Sequence, residues 1–337
     1  MTRITHPASP RPSGFTLVEM VFTLVISGIM LALAAVFITR PIEGYQDLTR
    51  RALLVNNAES ALRQMAREMR NALPKSVRIN TVSGFALEML PVIDGAMYRD
   101  TTGGGINNDN TGAAQALSFG AAGDDQFDIH RLFQHIVPLP PLGTSSATHR
   151  MVINNRGTTG NSAYEPAGGA APTTGVITPL TNFVINYSTT ATGTDVAAPI
   201  PGSVGATHIS FRNSVGTAVF HRFSTSAAGA SPNQRLYVIE TPVTYLCVPN
   251  STTPSLGTLT RYANYPIQSA QPTTAATLDA LPGVIKAPVS AQVSACTINS
   301  DFNSVRRYGL VTLDLTLSDT TGGTVRLLHQ VLVENSR

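Results

Sequence analysis

The chain has no tryptophan, only two lysines (Lys75 and Lys286) and only two cysteines (Cys247 and Cys296). Charged residues make up 13% of its 337 positions, about half the usual share of roughly 25%. It also lacks G-x-S-x-G, H-E-x-x-H, Walker A and dinucleotide fingerprints, so no familiar hydrolase, zinc-protease or nucleotide chemistry is written in it. What it has in abundance is Gly, Pro, Ser, Thr, Ala and Asn. That balance suits a loop-rich extracytoplasmic β protein better than a cytosolic enzyme, and the length suits one large domain or two modest ones. The net charge of +3 does not point to nucleic acid. Arg3 and Arg11 lie among the first 14 residues, which hold no acid, and without them 21 basic residues face 20 acidic ones.

The most informative stretch is Ser13-Gly14-Phe15-Thr16-Leu17-Val18-Glu19-Met20, behind a polar leader rich in proline. From Phe15 to Thr39 nearly every residue is apolar or small, and Glu19 is the single acid. As a helix this run measures roughly 37 Å, enough to cross a hydrocarbon core of about 30 Å. A carboxylate in such a segment costs about 2.5–3.5 kcal/mol on insertion scales, so Glu19 needs a reason. A cut after Gly14 would give Phe15 a new α-amino group of opposite charge near the same helix end. Burying the amine of one chain against Glu19 of a neighbour lowers the cost of both and sets axial register. Two simpler readings compete: a secretory signal with an A-x-A site at Ala32-Leu33-Ala34, and a plain single-pass anchor whose Glu19 reaches to the interface. Arg40 at the far end weakens any positive-inside bias.

Gly14-Phe15-Thr16-Leu17-Val18-Glu19 resembles the type IV prepilin processing motif, with Gly before the cut, Phe after it and Glu as fifth mature residue. The resemblance implies cleavage between Gly14 and Phe15 by an inner-membrane prepilin peptidase, N-methylation of Phe15, and an assembly-register role for Glu19. It also implies a structural protein rather than an enzyme. The partners implied are minor and major pilins and an inner-membrane assembly platform with its ATPase. The location implied is a single-pass inner-membrane anchor with a periplasmic C-terminal domain, or exposure at a pilus tip.

Pro41 is expected to kink or interrupt the helix. Beyond it Tyr45, Leu48, Ala52, Val55, Glu59, Leu62, Ala66, Met69 and Leu73 step by 3 and 4, which predicts an amphipathic helix burying one stripe on the protein's own sheet. Glu59 and Arg63 are spaced for an i, i+4 pair, and Asn71-Ala72-Leu73-Pro74 ends the helix. The expected organisation is a leader over 1–14, a transmembrane half over 15–39, an amphipathic half over 40–73 and a β-rich periplasmic domain over 74–337. The fold class is α+β: a long N-terminal helix packed on an antiparallel sheet, as in pilins.

Strands are predicted at 76–79, 85–90, 126–129, 151–153, 183–187, 208–211, 218–223, 236–247, 310–317 and 325–333. Loops are predicted at about 100–123, 157–180, 188–206, 224–234 and 250–282. The order of Tyr237–Cys247, Leu259-Thr260-Arg261-Tyr262, Val293–Cys296, Arg307–Leu313 and His329–Asn335 resembles the O-type biogenesis proteins of mannose-sensitive haemagglutinin pili. The W-type minor pilins and the J component of type II secretion are related. The implied role is a minor pilin or pseudopilin that primes or caps filament assembly, with a type II secretion pseudopilin or a tip adhesin as alternatives. In an oxidising periplasm a Cys247–Cys296 disulfide is favoured, tying 250–282 to the sheet, against free thiols or a metal pair.

No cofactor is expected. His130 and His135 are five apart, which fits neither helical metal spacing nor a triad, and read as surface or strand histidines. Asp124, Asp125 and Asp128, and the run Asn107-Asn108-Asp109-Asn110, read as solvated turns, with Ca²⁺ as the alternative for such oxygen-rich segments.

Overall fold

A computed structural model describes residues 14–82, 84–99, 116–129, 133, 135–136, 144–169, 172–188, 207–223, 230–301, 308–320 and 322–334. The chain divides into two compact units, Met1–Leu53 and Leu54–Arg337.

Helix α1 (Leu17–Arg70) is 54 residues long, roughly 80 Å. In the first unit every described side chain from Leu17 to Leu53 is exposed. Within it, Leu17–Ile38 is long and apolar enough to cross a membrane. The helix runs through position 41 without interruption, so the break expected at proline does not occur. Proline removes only one amide from a ladder with many turns on either side, and a long helix absorbs that loss.

In the second unit α1 buries Leu54, Ala58, Ala61, Leu62, Met65, Ala66 and Met69. Leu62, Ala66 and Met69 belong to the predicted stripe, but Tyr45, Leu48, Val55 and Glu59 are exposed. A strict 3-and-4 alternation repeats every 3.5 residues and drifts about 20° per heptad around a straight helix, so the predicted stripe slides off the buried face. Glu59 pairs with Arg63 on the exposed side as expected. The helix stops at Arg70, where the Asn71 side chain donates to the Val92 carbonyl at 2.9 Å.

The strands are β1 (Arg78–Asn80), β2 (Phe85–Met89), β3 (Val92–Met97), β4 (Gln126–Ile129), β5 (Thr144–Ser146), β6 (Arg150–Ile153), β7 (Thr173–Gly175), β8 (Val184–Ser188) and β9 (Thr207–Arg212). They continue with β10 (His221–Phe223), β11 (Arg235–Ile239), β12 (Val243–Val248), β13 (Thr258–Ala263), β14 (Ile285–Ala291), β15 (Val293–Asp301), β16 (Tyr308–Ser318) and β17 (Thr324–Glu334). A five-stranded sheet has the order β1-β2-β12-β13-β14, and a three-stranded sheet the order β15-β16-β17. All their pairings are antiparallel. The α1 stripe, Phe85, Leu87, Val243 and Tyr245 of the first sheet, and Ile298, Val311, Leu313 and Val331 of the second form one continuous core. A second core around Phe127, Phe183, Phe211 and Tyr187 sits on the sheet β4-β9-β8-β5 together with β3-β11-β6.

Two predictions fail instructively. The single strand expected at 236–247 is two strands in different sheets. A register shift at Val238/Ile239 and then Pro242, which has no amide to donate, separate them. The loop expected at 250–282 holds β13 and a short helix α2 (Ala275–Asp279) capped by Thr274. Its Thr-rich composition hides Leu259, Tyr262, Tyr265 and Leu278, all buried. The segment 157–180 likewise contains β7.

Cys247 and Cys296 form a disulfide. It joins β12 to β15, and therefore one sheet to the other, rather than fastening a loose loop. Gly84 and Gly257 flank it, and a Cβ on either would lie within 2.2 Å of a carbonyl oxygen, that of Cys247 or Val293. With the cysteines 49 positions apart, loop entropy assigns the bridge about 4 kcal/mol. Replacing both cysteines by alanine should lower unfolding stability by about that amount in urea titration of the oxidised chain. An unchanged midpoint would show that sheet packing alone holds the crossing.

Candidate functional site

The N-terminal segment is built from the helix start upward. Thr16 precedes α1, and its hydroxyl accepts the amide of Glu19 at 3.3 Å. Thr16 is thus the N-cap, and Glu19 stands three residues on, in the first turn. A carboxylate there faces the positive end of the helix dipole, a favourable placement worth about 0.3–1 kcal/mol when exposed. Thr16-Leu17-Val18-Glu19 carries the T-x-x-E signature of a capping box. Sequence reasoning passed over Thr16, although that signature was available. Gly14 and Phe15 lie just outside the helix, and Phe15 is 78% exposed. The peptide bond between them therefore lies in exposed, non-helical backbone ahead of the apolar helix. Of the leader expected over 1–14, residues 1–13 lie outside the described residues.

A model of the family described as prokaryotic N-terminal methylation motif matches residues 10–35. The chain thus carries a type IV prepilin-like N-terminus, a motif of structural rather than catalytic proteins. No curated protein and no solved structure matches the chain.

The acids singled out from sequence do not converge. The Asp125 carboxylate accepts from Arg212 at 3.1 Å. Asp128 pairs with His208 at 3.0 Å, both almost wholly buried. Asp124 accepts the amides of Ser118 at 2.8 Å and Gln126 at 3.3 Å. Asp124 and Asp128 are therefore buried, not solvated turn residues, because strand pairing brings them under the second core. Among the described residues no cluster of three or more His, Cys, Asp or Glu side chains is placed to hold a metal. His135 is exposed, 3.9 Å from Asp94. His130 and Asn107–Asn110 lie outside the described residues.

Sequence reading missed a buried network on the five-stranded sheet. Glu88 is fully buried and accepts from Arg78 Nε at 2.9 Å and from the Tyr265 hydroxyl at 3.0 Å. The Tyr265 hydroxyl also lies 2.7 Å from Thr244 Oγ1. The Arg78 guanidinium stacks 3.5 Å above the Tyr164 ring. Burial raises the Glu88 carboxyl above its ordinary range, and Arg78 opposes that rise. Every group here is matched within the fold, which makes the network a structural clamp.

Asp124 and His221 form the other buried titrating pair, their backbones exchanging hydrogen bonds at 2.8 and 2.9 Å. Burial lifts Asp124 to about 7 and pushes His221 down to about 4. Asp124 in the fold holds a proton that the unfolded chain releases near 3.8, so its contribution to stability falls as pH rises from 4 to 7. His221 acts in the opposite sense between 4 and 6.5. Asp124→Asn removes only the first effect. Its stability relative to wild type should rise by about 3 kcal/mol between pH 4 and pH 7, read from urea midpoints at both values. A difference independent of pH would remove this assignment.

Proposed function

We propose that this chain is a minor pilin or pseudopilin that primes or caps assembly of a type IV pilus-type filament. The supporting observation is the methylation motif at residues 10–35, which takes in most of the exposed apolar segment Leu17–Ile38 with its one carboxylate, Glu19. In this reading a prepilin peptidase hydrolyses the Gly14–Phe15 bond. The freed amine of Phe15 is then N-methylated and stays cationic. Glu19 of one subunit meets the amine of its neighbour, so each subunit docks at a fixed depth in the membrane bundle. The capping bond from Thr16 keeps the first turn formed while this happens. Pro41 would supply whatever bend separates the membrane half, 15–39, from the amphipathic half, 40–73.

A large domain with long connections favours a minor subunit, since it would crowd a repeating lattice. The Cys247–Cys296 bridge favours an oxidising compartment, hence a periplasmic domain over 74–337 and an inner-membrane anchor. The strand and cysteine order of the last third supports the mannose-sensitive haemagglutinin type among filament systems. The partners are then other pilins, the peptidase, and the assembly platform with its ATPase.

Mass spectrometry of the mature protein should find methylated Phe15 as the first residue. Ala35 at the N-terminus, or an active chain that retains Met1–Gly14, would exclude this function. Glu19→Leu should insert into the membrane normally, since it removes a cost of about 3 kcal/mol, yet lower filament number at least tenfold. Filaments at wild-type level in that variant would remove the register role and leave only helix capping.

A further inference from the structure

The last strand of the chain carries an open edge. β17 pairs with β16 along its whole length, and it stands at the end of its sheet. Among the described residues its other edge takes no backbone hydrogen bond. Such an edge presents a row of unpaired amides and carbonyls that templates another strand, and natural sheets blunt it with short strands, proline or lysine. Several other edges here follow that rule, although β15, the opposite edge of the same sheet, has nine residues without proline or lysine. β1 and β5 have three residues each, and β14 carries Lys286 and Pro288. β17 has 11 residues with no proline, glycine or lysine. Its one arginine, Arg326, is drawn inward onto both oxygens of Asp314 on β16, at 3.0 Å each. Leu328 and Leu332 remain 59% and 62% exposed beside the open edge.

On its exposed face the order of residues on this strand is self-complementary about Gln330. We propose that β17 is a homodimerisation strand, on which two copies of this chain join edge to edge and antiparallel with the two-fold axis at Gln330. In that register Leu328 of one copy stands opposite Leu332 of the other on the exposed face. On the inner face Leu327 stands opposite Val333, and His329 opposite Val331. Symmetry makes each match twice. By sequence the same register sets position 326, an arginine, across from position 334, a glutamate. Moving the axis to His329 keeps apolar pairs on the inner face, Leu327 with Val331 and Val325 with Val333, but on the exposed face it sets Leu328 against Gln330 and Arg326 against Leu332, so the exposed face distinguishes the two registers. The register is therefore specified by side-chain class. A partner of different sequence would not require the strand to match itself, so the occupant is a second copy. The contact is isologous and closes at two chains. It does not depend on cleavage after Gly14.

The test uses the full-length chain in its membrane. Paired residues on the axis have Cα atoms about 4.5–5.5 Å apart, inside the reach of a disulfide. Gln330→Cys should therefore give a covalent dimer under mild oxidation. Thr312→Cys, its neighbour on β16, should stay monomeric, because three strand spacings of about 4.8 Å separate the two copies of that position. Adding Leu332→Lys to Gln330→Cys should lower the dimer yield at least fivefold. The same substitution in the wild-type background should halve the mass of the detergent-extracted particle. No covalent dimer, equal cross-linking at both positions, or capture of a different chain by Cys at position 330 would each overturn the proposal.

Discussion

Burial of one face of α1, from Leu54 to Met69, is the contact on which the second unit depends. Ala58 and Ala61 are fully or almost fully buried, and their small side chains let the helix backbone approach the strands closely. Leu54, Leu62, Met65 and Met69 then fill the space on either side. Each such side chain contributes about 1.5–3 kcal/mol when taken from water. The same core takes side chains from both the five-stranded and the three-stranded sheet, so without the helix each sheet would expose an apolar face. Glu68 adds orientation by accepting from Arg261 on β13 at 3.0 Å. The disulfide lies at the same crossing and acts on the unfolded chain, while the helix acts on the folded one.

The low charge content explains how the rest of the domain is held. With few ions to spend on the surface, several are used inside. Arg78, Glu88, Asp94, Asp128 and Arg150 are all buried or half-buried, and each meets a specific partner. The Asp94 carboxylate accepts the amides of His135 and Ile136 at 2.6 and 3.1 Å. Arg150 donates to the carbonyls of Ala147, His149 and Leu180. Such matched groups add little net energy but penalise every alternative packing in which one of them loses its partner. That is a physical reason for a β-rich chain with long Gly- and Ser-rich connections to keep one arrangement of its strands.

Legibility in the sequence followed the strength of local constraint. The apolar run with its lone acid, the end of α1 near Asn71, and strands such as Gln126–Ile129 and Leu310–Leu317 were readable because period or composition leaves few choices. β13 and β14 were not, since Thr, Arg, Lys and Pro in them look like loop residues. What makes them strands is pairing, not composition: β13 lies between β12 and β14, and the mostly exposed β14 is held by β13. The buried acids were misread for the same reason: nothing next to Asp128 in sequence announces His208, 80 residues away. At the N-terminus the motif was plain, but its chemical emphasis on Glu19 obscured Thr16, whose role is conformational. The cysteine pairing was legible, whereas the two strands it joins depended on seeing 236–247 divide at Pro242.

If both proposed readings hold, two kinds of association surface meet in one chain, and their geometry differs in consequence. An apolar rod with one carboxylate and one terminal amine makes a head-to-tail contact, since donor and acceptor belong to different positions on successive subunits. Such contacts propagate. An edge strand that matches its own reverse makes a contact that closes at two and cannot propagate. A subunit carrying both would enter a filament as a pair of chains rather than singly, since pairing through β17 joins two chains wherever one stands. On the proposed readings, that is the arrangement a priming complex requires: the closed contact limits copy number, and the open one hands register to the next subunit.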